Sequence, residues 1–403
     1  MRRRLALAAA SALAAGAVAA LVPATPAGAS PSCRFDAGSR TVVVDLPADA
    51  DVGVLLTEPD GDIAFEFRLC LDGATPATVT TTDLVVVRGG AGRQEITVDL
   101  SDGPFAPGAT DEAGGSDEIE LRIDLAGGGE DRVILTGSYG RDTWRLSDAG
   151  LNLNASETTG VDTDATLTGV EHVDAFSSRG DDLLDATGWS GDVFLSGGAD
   201  EDVLRGGRPP AGGISRLDGG TEDDRLEGGP GADDLLGFYG DDVLVGNGGD
   251  DVFEAGANED GADVISGGPG RDLVTYLARS AGVAISLNGR ADDGEAGEGD
   301  DVGGDVEDLT GSKGADRITG DDGANTLRGL DRDDVLDGRG GADRLEGDDG
   351  ADGLTGGGGV DALYGGGGGD DLDAADGVAD LADGGAGTDT CRCDRIDNVR
   401  SVP

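Results

Sequence analysis

From Gly311 to Asp373 the chain divides without remainder into seven consecutive nine-residue units, GSKGADRIT, GDDGANTLR, GLDRDDVLD, GRGGADRLE, GDDGADGLT, GGGGVDALY and GGGGGDDLD. Position 1 is always Gly, position 6 is Asp except at Asn325, and position 8 is always aliphatic: Ile318, Leu327, Leu336, Leu345, Leu354, Leu363 and Leu372. Glycine supplies the backbone freedom of a tight turn, and the last three residues read as a short strand with one side chain facing inward. One unit is then one turn and one strand, and two units complete a coil of 18 residues. Aromatics make up only 3% of the chain while glycines number 76, so repetition rather than a bulky core must stabilise it. The expected fold class is all-β, a parallel β-roll or β-helix solenoid.

Stacking coils of this length sets the position-6 carboxylates of alternate units one above another, as in Asp316/Asp334, Asp334/Asp352, Asp343/Asp361 and Asp352/Asp370. Neighbouring strands lie about 4.8 Å apart. Two like charges at that distance repel by roughly 3 kcal/mol at an effective dielectric of about 20. Repeated along a ladder, this repulsion should keep the segment unfolded unless something neutralises it. Ca²⁺ suits the task, because it accepts about six to eight oxygens in a tolerant geometry, and glycine carbonyls can complete the shell. Magnesium would demand a tighter octahedron, and zinc would want His or Cys, which these units lack. Gly/Asp-rich composition alone would suggest a disordered linker, but strict phasing and an apolar residue in every unit argue against one.

The units resemble the RTX (repeats-in-toxin) haemolysin-type nonapeptide repeats, over about Ser177 to Arg392. That resemblance implies a secreted calcium-binding protein whose repeats fold into a β-roll, with several Ca²⁺ ions between coils. It makes the position-6 residues the expected metal ligands. In the block 311–392 these are Asp316, Asn325, Asp334, Asp343, Asp352, Asp361 and Asp370. An earlier block, 177–275, carries Asp182, Asp202, Asp224, Asp233, Asp242, Asp251, Asp263 and Asp272. Within it Leu226, Leu235, Leu244 and Phe253 hold position 8, and Ala255-Gly256-Ala257 is a three-residue insertion. Because this block is less regular, fewer or weaker sites are expected there. Residues 276–310 separate the blocks as a strand around Val283, Ile285 and Leu287 followed by an acidic loop. That loop reads as a solvated excursion from the coil, with a further calcium site as the competing reading.

Residues 30–176 alternate as short strands, in Thr41–Leu46, Asp83–Val87, Glu95–Leu100 and Glu118–Ile123, but keep no 18-residue register. This region is a degenerate solenoid or a small β domain; Gly128–Leu135 resembles a decayed repeat. Residues 1–29 read as a signal peptide, with three arginines, an Ala/Leu/Val run and the small-residue site Ala27-Gly28-Ala29. Residues 393–403 form a C-terminal tail. In an exported chain Cys33 and Cys70 are expected to pair, whereas Cys391 and Cys393 are too close to pair comfortably within one strand and their state stays open.

The net charge of −53 disfavours nucleic acid and anionic membranes and favours cations. His172 is the only histidine, so no H-E-x-x-H metalloprotease site exists, and no G-x-S-x-G elbow is present. The leading expectation is a secreted, extracellular, non-catalytic calcium binder acting as a surface, matrix or adhesion component, with no membrane insertion. The alternative is a polysaccharide-active enzyme of epimerase or lyase type with a β-helix catalytic region in the N-terminal half. Such an enzyme needs acid and base groups gathered in a groove. Tyr139, Tyr239, Tyr276 and Tyr364 are scattered, and a cleft uniting His172, Tyr139 and Arg141 would favour catalysis.

Overall fold

The computed structural model describes residues 31–403 apart from 47–52, 58–62, 66–67, 73, 79–81, 83, 91, 102–119, 126–129, 154–164, 258–259 and 403. The expected signal peptide lies outside the described residues, as do parts of the predicted strand at 118–123 and of the decayed repeat at 128–135. Pro31–Pro403 forms one compact unit. Among the described residues there is no helix; the secondary structure is strand and turn, and most pairings are parallel.

One sheet runs the length of that unit, and its inward face carries a single unbroken row of side chains. The row begins Leu55, Val98, Leu135, Ala175, Leu195, Leu217, Leu235 and Phe253. It continues through Val274, Leu309, Leu327, Leu345 and Leu363 to Ala382 and Val399. All but the terminal Val399 are buried. Each coil places one strand here and a second in a lateral sheet on the opposite side. Two lateral sheets follow one another along the axis. The first ends in the row Trp144, Leu184, Leu204, Leu226, Leu244, Ile265 and Val302. The second carries Ile285, Ile318, Leu336, Leu354, Leu372 and Cys391. Position 8 of every unit therefore lines the core, as its aliphatic identity requires.

The N-terminal region is a widened and interrupted form of the same solenoid. Parallel pairing runs from Thr41–Asp45 through Leu84–Arg88 and Glu120–Asp124 to Ala165–Thr168. Antiparallel additions break the regularity, among them Ser32–Asp36 on Thr41–Asp45 and Thr143–Ser147 on Gly150–Asn152. In the through sheet each N-terminal strand turns two apolar residues inward, such as Ile96 with Val98 and Val133 with Leu135. Their first row continues Val173, Val193, Ser215 and Asp233. At Ser215 the position becomes polar, and from Asp233 it is the position-6 carboxylate. The coil narrows there, and only beyond that point can it close in 18 residues. Cys33 and Cys70 form the expected disulfide, with Cα atoms 5.2 Å apart. Cys391 and Cys393, alternate residues of the strand Thr390–Cys393 and so on one face of it, are joined as well.

The acidic loop differs from expectation. Its carboxylates Asp293 and Asp300 are buried, and so is Asp260 before it. Asp293 bridges antiparallel to Asp300, and Gly294 to Ala284, linking the end of the first lateral sheet to the start of the second. The loop is folded into the coil as a splice between the two lateral sheets, while the through sheet passes it unbroken by pairing Leu273–Thr275 with Asp308–Thr310.

Candidate metal centre

Every position-6 residue named from the sequence is buried, with Asp242 and Asp272 at 0% exposure and Asp263 the most open at 6%. They form three ladders rather than isolated pairs. Along the first lateral sheet the backbone N–H of Asp142 donates to Asp182 Oδ1, Asp182 to Asp202, Asp202 to Asp224, Asp224 to Asp242, Asp242 to Asp263 and Asp263 to Asp300. Along the second, Val283, Asp316, Asp334, Asp352 and Asp370 donate in turn to Asp316, Asp334, Asp352, Asp370 and Asp389. Along the through sheet the chain is Ser215, Asp233, Asp251, Asp272 and Glu307, then Asn325, Asp343, Asp361 and Asp380. These bonds measure 2.6–3.2 Å. One carboxylate oxygen of each acid is thus met by the neighbouring coil's backbone, which relieves part of the repulsion expected from stacking alone.

The other oxygen is not met. In Asp182, Asp202, Asp224, Asp242, Asp251 and Asp272 of the first block, Oδ2 is buried without a hydrogen-bond partner. The same holds for Asp334, Asp343, Asp352, Asp361 and Asp370 of the second block. A buried anionic oxygen left unpaired costs several kcal/mol or forces its carboxyl to take a proton. Burial accordingly pushes these groups up from 3.8: Asp202 and Asp224 to about 8, Asp343 and Asp334 to about 7, and Asp352 to about 6.

In several of these cradles the orphaned oxygen faces a second oxygen. A Cβ placed on Gly338 would lie 2.5 Å from Asp343 Oδ2 and 2.6 Å from the carbonyl oxygen of Gly356 on the next coil. Asp352 with Gly365, Asp370 with Gly384, Asp224 with Gly237 and Asp251 with Gly267 repeat the arrangement beside Gly347, Gly365, Gly219 and Gly246. Position 1 must therefore be glycine because a side chain would fill the cradle. At position 4 the reason is backbone: Gly359 has φ +146°, and a Cβ there would fall on the Gly341 carbonyl oxygen. Carboxylate and main-chain carbonyl oxygens, with no His or Cys, fit a hard divalent cation such as Ca²⁺. No single cradle gathers three acidic, His or Cys side chains among the described residues, so carbonyls have to supply much of any shell.

Not all the predicted positions are alike. Asp233 Oδ2 accepts the Gly229 N–H at 2.5 Å, and Asp316 Oδ2 accepts the Ser312 N–H at 2.6 Å. At Asn325 the amide takes the carboxylate's place: its Oδ1 accepts the Asp321 N–H, and its Nδ2 donates to the Glu307 carbonyl at 3.3 Å. These three coils satisfy themselves. The first block keeps as full a row of orphaned oxygens as the second, against the expectation of fewer sites. Asp348, at position 2 of its unit, is half-buried at φ +67° and pairs with Arg328.

Three acids with the same orphaned Oδ2 were missed from the sequence: Asp131, Asp380 and Asp389. Signals for such positions were present. Gly384–Arg392 (GGAGTDTCR) is a full nonapeptide with Asp389 at position 6 and Cys391 at position 8. Gly89–Thr97 (GGAGRQEIT) carries Gln94 at position 6, and its N–H donates to Asp131 Oδ1.

Among curated proteins no match to the chain is found. The model of the RTX calcium-binding nonapeptide repeat matches residues 176–208, 211–237, 236–274, 303–336 and 319–354. Over those residues the chain carries RTX calcium-binding nonapeptide repeats, which bind Ca²⁺ between coils.

Proposed function

We propose that the protein is a secreted, non-catalytic calcium-binding component of an extracellular surface or matrix, ordered by the metal it binds. The observation that carries the reading is the row of buried, unpartnered Oδ2 atoms from Asp182 to Asp370, those of Asp224, Asp251, Asp343, Asp352 and Asp370 facing glycine carbonyls of the next coil. Asp182, Asp202, Asp224, Asp242, Asp251, Asp272, Asp334, Asp343, Asp352, Asp361 and Asp370 would hold the ions with the carbonyls that face them. Bound calcium supplies positive charge to oxygens that the fold buries but cannot pair. The chain's own part is to align those oxygens by coil stacking and to keep the cradles open with glycine. Export gives the coupling a use. The acidic repeats would stay unfolded and translocatable where calcium is scarce, and order where it is millimolar. The leader-like residues 1–29 and the charge of −53 support an extracellular setting.

A non-catalytic role is favoured by where the scarce acid–base groups lie. His172 begins its strand, paired in register with Arg132, and its Nδ1 sits 3.4 Å from Asp192 Oδ2. Tyr139 and Arg141 follow the far end of the adjacent strand, Arg132–Thr136, and Tyr139 is 75% exposed. The three stand at opposite ends of the sheet and share no groove. Calorimetric titration with calcium, followed by circular dichroism, tests the proposal. Cooperative gain of β-structure with multiple bound ions supports it. An apo protein already fully folded in chelator, with no heat on adding calcium, would refute it.

A further inference from the structure

Between the two repeat blocks the coils stop relying on open oxygens. Arg279 is completely buried, and its guanidinium Nη2 meets Asp260 Oδ1 and, at 2.7 Å, Glu298 Oε1. Its Nη1 lies 3.5 Å from Glu295 Oε1. Asp260 Oδ2 accepts the Gly256 N–H at 2.8 Å, and the Asp260 N–H donates to Glu298 Oε1 at 3.2 Å. Tyr276, also buried, donates its hydroxyl to Asp300 Oδ2 at 2.7 Å, which closes the last carboxylate of the first lateral ladder. Asp293 places Oδ1 on the Ser286 N–H and Oδ2 on the Val302 N–H. Across the splice, Asp316 opens the second ladder with Oδ2 on Ser312 and Oδ1 on the Ser312 hydroxyl and the Val283 N–H. The orphaned oxygens run up to Asp272 and resume at Asp334. On the lateral side of the roll, then, every buried carboxylate named between them has both oxygens engaged by the protein itself.

We propose that the chain carries two separate calcium arrays joined, on the lateral side of the roll, by a metal-free junction, residues 276–302 together with Asp260, in which the Arg279 guanidinium supplies the charge that calcium supplies elsewhere. The inference rests on the calcium reading above. A buried guanidinium is a permanent cation with a planar fork that fits carboxylate pairs, so it neutralises without regard to calcium concentration. The junction also holds the one place where the lateral sheets are spliced. There the coil separation between ladder partners lengthens from 18 to 37 residues, as at Asp263 and Asp300. A longer loop costs somewhat more to close, and a metal-independent clamp at this point offsets that cost and helps the blocks stack in register. The junction stays ordered in chelator and presents each block with a formed coil end to build on.

Hydrogen exchange read by mass spectrometry on the full chain tests this. Peptides from 276–302 are compared with peptides from 326–373, in chelator and in millimolar calcium. The expected result in chelator is exchange at least about tenfold slower in the junction than in the repeats, with both slow in calcium. Arg279→Met should erase the junction's protection in chelator while the repeats still gain protection with calcium. Arg279→Lys, which keeps the charge but not the fork, should fall between. If junction and repeats both exchange fast in chelator, the clamp is wrong and the calcium reading stands. If both are slow, calcium-dependent folding fails and the division into arrays fails with it. Arg279→Met leaving junction exchange unchanged in chelator would also overturn the proposal.

Discussion

Asp343→Asn should change sign with calcium. Asp343 Oδ1 accepts the Asn325 N–H at 2.9 Å, while its buried Oδ2 has no partner and faces the Gly356 carbonyl. An amide of the same shape keeps the first bond and brings donors to the second position. The fold already accommodates an amide at Asn325, there turned so that Oδ1 takes the cradle side and accepts the Asp321 N–H while Nδ2 reaches the Glu307 carbonyl. In chelator the substitution removes a buried carboxyl that burial pushes up to about 7 and adds one hydrogen bond, so stability should hold or rise by about 1 kcal/mol. In calcium it removes the charged ligand of one cradle. If that site is lost and calcium stood at about a hundredfold over its Kd, the loss is about 2.7 kcal/mol. Denaturant unfolding followed by circular dichroism, in chelator and in calcium, reads both numbers. Asp349→Asn is the control, since that side chain is exposed. Equal destabilisation in both conditions would mean that Asp343 is an ordinary structural residue and would refute the cradle argument.

Four further outcomes follow from the same geometry. In chelator, stability should fall as pH rises from about 4 to about 8. The folded ladder carboxyls sit at about 6 to 8, so over that window the folded state keeps protons that the unfolded chain has released. Saturating calcium should flatten or invert that slope, because binding displaces the same protons, and melting curves across pH check both. Leu345→Ala, in the middle of the continuous inward row, should cost about 2–5 kcal/mol with or without calcium. Gly338→Ala should abolish the calcium response of its coil, because the methyl occupies the cradle, and calorimetry should show fewer ions bound. Peptide mapping without reduction should recover Cys33 linked to Cys70; finding both alkylated would exclude the bridge.

The repeat blocks were legible because one residue in nine carries each task. Leu336 at position 8 and Asp334 at position 6 are fixed by burial and by alignment with the next coil, so the period shows through. Residues 30–176 hid the same fold for two reasons. Their ladder partners are 37 and 40 residues apart, as at Gln94/Asp131 and Asp142/Asp182, so no short period survives. Their strands also turn two apolar residues inward, and the first of them stands in the row where the acid would have marked the motif. The splice was misread for a different reason. Asp293, Glu298 and Asp300 look solvated by composition, but the buried Arg279 and Tyr276 draw Glu298 and Asp300 inside, and the Ser286 and Val302 N–H groups hold Asp293 there. Composition reports average solvation, whereas a single guanidinium can reverse it locally.

The two rows of the coil act in opposite senses, and that opposition is the physical basis of the proposed metal dependence. The inward row from Leu55 to Val399 is continuous through wide coils, narrow coils and the splice, so apolar burial favours stacking everywhere along the axis. The ladder beside it favours stacking through Oδ1 and opposes it through Oδ2. Where the protein can spare a donor it cancels the opposition, with Gly229 at Asp233, Ser312 at Asp316 and an amide at Asn325. Retaining the carboxylate unpaired at the other positions is costly without a cation and unnecessary for stacking, as Asn325 demonstrates within the same sheet. A sequence that merely needed a stable solenoid could use Asn throughout. Keeping Asp at eleven of the fifteen predicted positions with Oδ2 unpaired is what the proposed dependence of order on calcium rests on.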